Sequence, residues 1–143
     1  MVKILYAINS RIAQLPSLRD ITDKLFREEE TLRLGGGADG QQRQRRLGRL
    51  PVRERLTLLL DEGRPFFELG VWAAFGMYTE WGDVPAAGLV TGIGWVSGRA
   101  CLIAGHDATV KAGAMFPQSV KKLLRVQIVL PVRGSTQYRS CRR

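Results

Sequence analysis

AAGLVTGIGWVSGRACLIAGHDATVKAGAMFP, residues 86–117, holds the pattern on which the fold turns. Leu89, Thr91, Ile93 and Trp95 alternate with Val90, Gly92, Gly94 and Val96, the two-residue period of a β-strand. Ser97-Gly98 supplies a tight turn, and Ala100 to Ala104 returns as a buried strand, so a β-hairpin is expected. Two glycines on one strand face imply that another side chain or backbone packs closely there. The loop HDATVKAGAMFP follows, from His106 to Pro117, and Gln118 to about Ile128 reads as a helix.

Upstream of the hairpin the period is helical. Ser17 to about Leu34 carries Leu18, Ile21, Leu25, Leu32 and Leu34 on an apolar stripe, with Ser17 and Asp20 spaced as a capping box. Gly35-Gly36-Gly37 stops that helix, because glycine tolerates left-handed geometry. An arginine-rich connector comes next. A second helix is expected from Pro51, with Val52, Leu56, Leu59 and Leu60 on its buried side and Asp61-Glu62-Gly63 at its end. Phe66, Phe67 and Leu69 suggest a short strand, and Gly70 to Pro85 an irregular, aromatic-rich segment. A two-stranded hairpin is marginal without partners, and the chain stops where a further strand is expected.

The bulk numbers narrow the function classes. A chain of 143 residues with 45% hydrophobic residues can form one packed domain, or part of a larger one. No apolar run approaches the ~20 residues that span a bilayer, and MVKILYAINSRIAQ, interrupted by Asn9, Ser10 and Arg11, makes a poor secretory signal. A cytoplasmic location is expected, with no membrane partner. Cys101 and Cys141 lack metal-ligand spacing and suit free thiols in a reducing compartment, with Cys101 a small buried residue of its strand. The net charge is +9. It is concentrated in Arg43–Arg55, with six arginines and one glutamate, and in Arg125–Arg143, with five arginines and no acid. No aromatic residue interleaves the first cluster, which favours a solvated basic face over a nucleic-acid surface.

Few residues invite acid–base chemistry. His106 is the single histidine, so a histidine dyad or metal cluster is excluded. Asp107, its neighbour, points to the opposite face of an extended segment. The serines show no nucleophile elbow. Gly92-Ile93-Gly94 lacks the third glycine of a dinucleotide fingerprint and lies in a hairpin. The loop offers more. Ala112-Gly113-Ala114 lets a ligand approach the backbone, amides at the next helix start can bind anions, and Lys111, Lys121, Lys122 and Arg125 could meet phosphates. A plain strand-to-helix turn with solvated lysines remains the alternative.

RERLTLLLDEGRPFFELG and VPAAGLVTGIGWVSGRACLIAGHDATVKAGAMFPQSVKKLLRVQ together resemble the carboxyltransferase (β) subunit of biotin-dependent acyl-CoA carboxylases. The methylcrotonoyl-CoA carboxylase β type is the nearer match. Arg53-Glu54-Arg55, Asp61, Pro65-Phe66, Glu68-Leu69, Gly92-Ile93-Gly94, Val96-Ser97-Gly98 and Asp107 to Lys111 fall in the family's order. INSRI at 8–12 and LRLGGG at 32–37 resemble its N-terminal helical region. The resemblance implies an α/β fold: a partial crotonase-like (ClpP/crotonase) carboxyltransferase N-domain preceded by N-terminal helices.

It further implies an active site between domains of different protomers. Biotin on a partner subunit delivers the carboxyl group to an acyl-CoA, and backbone N–H groups form the oxyanion holes. On this resemblance no covalently bound cofactor is expected on this chain. A biotin carboxylase or biotin carrier subunit and other carboxyltransferase protomers are the implied partners. Val110, Lys111, Ala112, Gly113 and Ala114 become candidate CoA contacts, with Lys121 and Lys122 as further candidates; no catalytic side chain and no metal ligand is assigned. His106 stands where the family often has asparagine, and Ala112 where many members have glycine.

After Gln127 the resemblance ends. IVLPVRGSTQYRSCRR stands where a buried strand and an Asp-Ser-Gly-Gly type turn would supply an oxyanion-hole donor. The expected organisation is an N-terminal helical region and basic connector at 1–50, an incomplete carboxyltransferase N-domain at 51–127, and a divergent basic tail at 128–143 outside the domain. An N-terminal fragment inactive alone is expected. A noncatalytic module docking on an intact carboxylase and a basic nucleic-acid binder are the alternatives.

Overall fold

The structure, a computed structural model, describes residues 17–129 and the strand at 137–139. Expectations placed on residues 1–16, on Cys141 and on most of the tail lie outside the described residues. The chain divides into two compact units, Met1–Glu30 and Thr31–Arg143. The division falls within the first helix.

Helix α1 (Leu18–Arg33), whose residues up to Glu30 belong to the first unit, begins as its sequence dictates. The Ser17 hydroxyl and amide both donate to Asp20 Oδ2, at 2.7 and 3.0 Å, and the Asp20 amide donates back to Ser17 Oγ at 3.1 Å. That box satisfies amides with no partner inside the helix. Hydrogen bonds from Ser17 hold the Asp20 carboxyl below its usual value. None of the helix's 16 residues is buried, so the apolar stripe does not form core.

The second unit contains a four-stranded sheet in the order β1-β2-β3-β4. Strand β1 (Phe67–Leu69) pairs antiparallel with β2 (Leu89–Val96). Strand β2 pairs antiparallel with β3 (Arg99–His106), from Leu89 opposite His106 to Val96 opposite Arg99. The hairpin is thus the one expected, with β3 longer than Ala100–Ala104. Ser97 (φ 51°) and Gly98 (φ 74°) turn it, the paired left-handed geometry that matches strand twist.

The register places Val90, Gly92, Gly94 and Val96 on one face with Cys101, Ile103 and Gly105. Helix α3 (Val52–Leu59) packs there, and Val52, Leu56, Val90, Cys101 and Ile103 form the core, flanked by Leu60 and Phe66. The close approach that glycines imply is present. A Cβ on Gly92 would lie 2.5 Å from the Phe66 ring, one on Gly94 2.3 Å from Leu60, and one on Gly105 2.7 Å from Val52.

Two elements depart from the sequence reading. The arginine-rich connector is largely a helix, α2 (Gly37–Arg46). Its Gln and Arg residues are good helix formers, but it has no apolar period to reveal it. It docks through polar groups: Gln44 is buried, and its amide donates to the Ala108 carbonyl at 2.9 Å. The tail also contributes to the sheet, because β4 (Gln137–Arg139) runs parallel to β3. A parallel neighbour requires a crossover of a dozen or more residues. Helix α4 (Pro117–Val129) lies in that connection.

Candidate functional site

The loop after β3 is built by Asp107 and Thr109. Asp107 is buried, its Oδ1 accepts the Thr109 amide at 3.0 Å and the Thr109 hydroxyl, and its own amide donates to the Gly88 carbonyl at 2.9 Å. The carboxylate therefore organises the turn rather than presenting itself as an acid or base. Thr109 Oγ1 also accepts the Gly36 amide at 2.9 Å. The glycine run does more than stop α1: a Cβ on Gly36 would fall 2.0 Å from the Thr109 carbonyl oxygen. Only a residue without a side chain lets α2 lie against this loop.

Three successive left-handed residues follow, Lys111 (φ 45°), Ala112 (φ 56°) and Gly113 (φ 82°). The Gly113 amide closes onto the Val110 carbonyl at 2.8 Å and the Ala114 amide onto Lys111 at 3.1 Å. For alanine and lysine such geometry costs about 1–2 kcal/mol per residue. Glycine at position 112 would avoid that penalty. Strain of this kind persists where the surroundings impose it, and it concentrates at functional loops.

Beside this turn lies a cavity of about 470 Å³, a size in the range of ligand sites. Gln44, Gly48, Arg49, Leu50, Pro51, Val52 and Arg55 line it from one stretch of chain, and His106, Ala108, Thr109, Ala112 and Gly113 from the other. Of the sequence candidates, Ala112 and Gly113 line the cavity, while Val110 is buried and Lys111 and Ala114 are exposed outside the lining. Lys121 is exposed on α4.

Lys122 has a different environment. It is buried, and its Nζ donates to the Ala86 carbonyl at 2.9 Å and the Leu89 carbonyl at 2.6 Å. Burial pushes its pKa down to about 8; the Glu68 charge opposes that shift and Arg53 adds to it. One helical turn earlier, Ser119 Oγ donates to the Ala87 carbonyl at 2.6 Å. Ala86 (φ 50°) and Ala87 (φ 55°) are both left-handed. Lys122 and Ser119 thus hold the carbonyls of a strained turn that leads into β2.

The amides at the start of α4, which could have met an anion, are engaged. Phe116 N–H donates to Ser119 Oγ at 3.0 Å and Gln118 N–H to the Tyr78 hydroxyl at 3.3 Å. The sequence reading passed over the basic stretch at 43–55 as a solvated face. Arg43, Arg45, Arg46 and Arg49 are exposed, and some arginines of the stretch also contact protein groups: Arg43 the Ala108 carbonyl, Arg45 Glu54, and Arg53 Glu68. Arg49 and Arg55 line the cavity; the charge cluster itself was the available signal for them. Among the described residues no group of three or more His, Cys, Asp or Glu could hold a metal, and no helix is long and apolar enough to cross a membrane.

Comparison with known proteins follows the same outline. Residues 43–130 match the family model described as the carboxyl transferase domain. The biotin-dependent 3-methylcrotonyl-coenzyme A carboxylase beta1 subunit of Mycobacterium tuberculosis is 46% identical over 122 residues, covering 82% of this chain and 23% of that protein. The mitochondrial methylcrotonoyl-CoA carboxylase beta chain of Dictyostelium discoideum is 46% identical over 98 residues, 68% of this chain and 16% of that one. Propionyl-CoA carboxylase beta of Cereibacter sphaeroides matches at 34% identity over 76% of this chain and 22% of its own.

Among solved structures, the transcarboxylase 12S subunit with methylmalonyl-coenzyme A bound superposes with a TM-score of 0.69 at 29% identity, covering 80% of this chain and 23% of that one. The beta subunit of Pseudomonas aeruginosa geranyl-CoA carboxylase gives 0.63 at 34% identity, covering 73% and 19%. The chain spans about a quarter or less of each. The mixed sheet and its helices are a partial crotonase-type α/β carboxyltransferase fold.

Proposed function

Because the chain belongs to the carboxyl transferase domain family, we propose that it forms part of the β subunit of a biotin-dependent acyl-CoA carboxylase of the methylcrotonoyl-CoA type. Its loop 110–114 lines the path of the CoA ester. The observation that carries this reading is the opening of Ala112 and Gly113 onto the 470 Å³ cavity. Small residues there allow a ligand to run along the backbone. Biotin would come from a carrier on a partner subunit, and the active site would be shared with other carboxyltransferase protomers.

No side chain of this chain is assigned to proton transfer. Asp107 is held within its turn, and Lys122 is occupied with backbone carbonyls. In carboxyl transfer to a thioester α-carbon the developing charge is on oxygen, and fixed backbone dipoles are enough to stabilise it. The contribution of this segment is to bind and orient the ester. Two candidates, Lys121 and Lys122, sit on α4 away from the cavity lining; Lys122 acts on the ester only through the turn it holds.

The test is calorimetric titration of the 143-residue chain with 3-methylcrotonyl-CoA and propionyl-CoA. Binding is expected, and Ala112→Leu, which adds bulk at the lining without β-branching, should weaken it at least about tenfold, some 1.4 kcal/mol. Circular dichroism must show the variant folded as the wild type. Absence of binding at millimolar ester, or an Ala112→Leu variant that binds equally well, would refute the assignment.

A further inference from the structure

Helix α4 and the loop after β3 meet on one short segment, the turn Pro85–Gly88 that leads into β2. Four successive carbonyls run along it into the strand. Those of Ala86 and Leu89 accept Lys122 Nζ, that of Ala87 accepts the Ser119 hydroxyl, and that of Gly88 accepts the Asp107 amide. Ser119 and Lys122 are three positions apart, so they share a face of α4. Asp107 in turn orders Thr109, and Thr109 Oγ1 receives the Gly36 amide. Of the six buried polar or charged residues described, Lys122, Ser119, Asp107 and Thr109 all lie on this path. Polar burial is thus concentrated along one line from α4 to the loop.

Lysine is a costly way to fill that space. Burying a cation carries a desolvation penalty that an apolar chain of similar length avoids, and burial here already lowers the Lys122 pKa. What an apolar chain cannot supply is donors. Ala86 (φ 50°) and Ala87 (φ 55°) sit in a conformation that costs L-residues about 1–2 kcal/mol each, and such geometry persists only where the surroundings fix it. Without the donors of α4 the turn is free to relax, and the Gly88 carbonyl moves with it. Val110 and Ala114 follow the same glycine closely: a Cβ on Gly88 would lie 3.8 Å from Val110 Cγ1 and 3.8 Å from the Ala114 carbonyl oxygen. We infer that Lys122 and Ser119 are positioning residues of the loop 107–114: they fix the 85–88 turn, and the turn fixes the backbone that carries Ala112 and Gly113. The effect on ester binding presupposes the function proposed above; the effect on the loop's conformation does not.

Backbone amide chemical shifts of the 143-residue chain at pH 7 give the test. Lys122→Met is the variant, and Asp61→Ala is a control that loses stability at the far end of the hairpin. Lys122→Met is expected to move the Asp107, Thr109 and Gly113 amides, although no hydrogen bond of Lys122 reaches them. Asp61→Ala is expected to leave them in place. Shifts confined to α4 and residues 85–91, or equal shifts in both variants, overturn the inference. If Lys122→Met unfolds, Ser119→Ala decides it at the Asp107 and Thr109 amides, which must move. For the ester, Lys122→Met should weaken binding of 3-methylcrotonyl-CoA by roughly fivefold, and Lys122→Arg, which keeps charge and donors, by less. Unchanged affinity beside a displaced loop overturns the positioning role in binding while the function proposed above stands. If wild type binds no ester, that function falls, and the amide shifts alone decide whether α4 positions the loop.

Discussion

Lys122 and Lys121 are adjacent letters with opposite fates. Successive helix positions differ by about 100° around the axis, so one lysine is exposed while the other reaches under the start of β2. The sequence places both on a helix; it does not show which direction is inward at that point, because α4 has no single clean apolar face. The buried amino group has a consequence for stability. An unfolded lysine keeps its proton to about 10.5, and burial brings the folded value to about 8. Between these values the unfolded state binds more protons, so stability from this group rises as pH rises. Lys122→Met removes the effect. The stability difference between wild type and variant should grow by on the order of 2 kcal/mol between pH 7.5 and pH 10. Urea melts at the two pH values measure it, and a constant or shrinking difference would rule the account out.

At the scale of elements, strands and amphipathic helices could be read because their periods follow from backbone geometry. Gly92 and Gly94 even announced the close packing that Phe66 and Leu60 supply. Helix α2 stayed hidden because its docking is polar, through Gln44 and the close approach of Gly40 to Thr109. The hairpin turn has support from a distant residue. Asp61, beyond the end of α3, accepts the amides of Ser97 and Gly98, both at 2.7 Å. Asp61→Ala should cost about 1–2 kcal/mol, since two charge-assisted bonds to a partly exposed turn are lost. Chemical denaturation reads this directly, and a change under about 0.3 kcal/mol would show that solvent replaces the carboxylate without cost.

For the molecule as a whole, long-range charge pairing in the second unit ties segments far apart in sequence. Glu68 on β1, its side chain 6% exposed, receives both arms of Arg53 at 2.8 and 2.9 Å and Arg33 Nε at 3.3 Å. Arg53 Nε also donates to the Arg33 carbonyl at 2.7 Å. Glu68→Gln keeps the shape and removes the charge that Arg53 and Arg33 both meet. A loss of about 2–4 kcal/mol is expected, below the full buried-pair value because both arginines are partly exposed. A thermal midpoint within a degree of wild type would contradict it.

Sequence by itself determined the hairpin, the helices with an apolar period, the glycine contacts and, through ordered motifs, the carboxyltransferase resemblance. Each depends on neighbours in the chain or on patterns repeated along it. Only the tertiary structure decided that the arginines at 49 and 55 meet Ala112 and Gly113 around one cavity, that Lys122 turns inward, and that β4 continues the sheet. Those facts rest on contacts between residues tens of positions apart. Their geometry is set by packing against α2, α3 and the sheet together, and no local period encodes it.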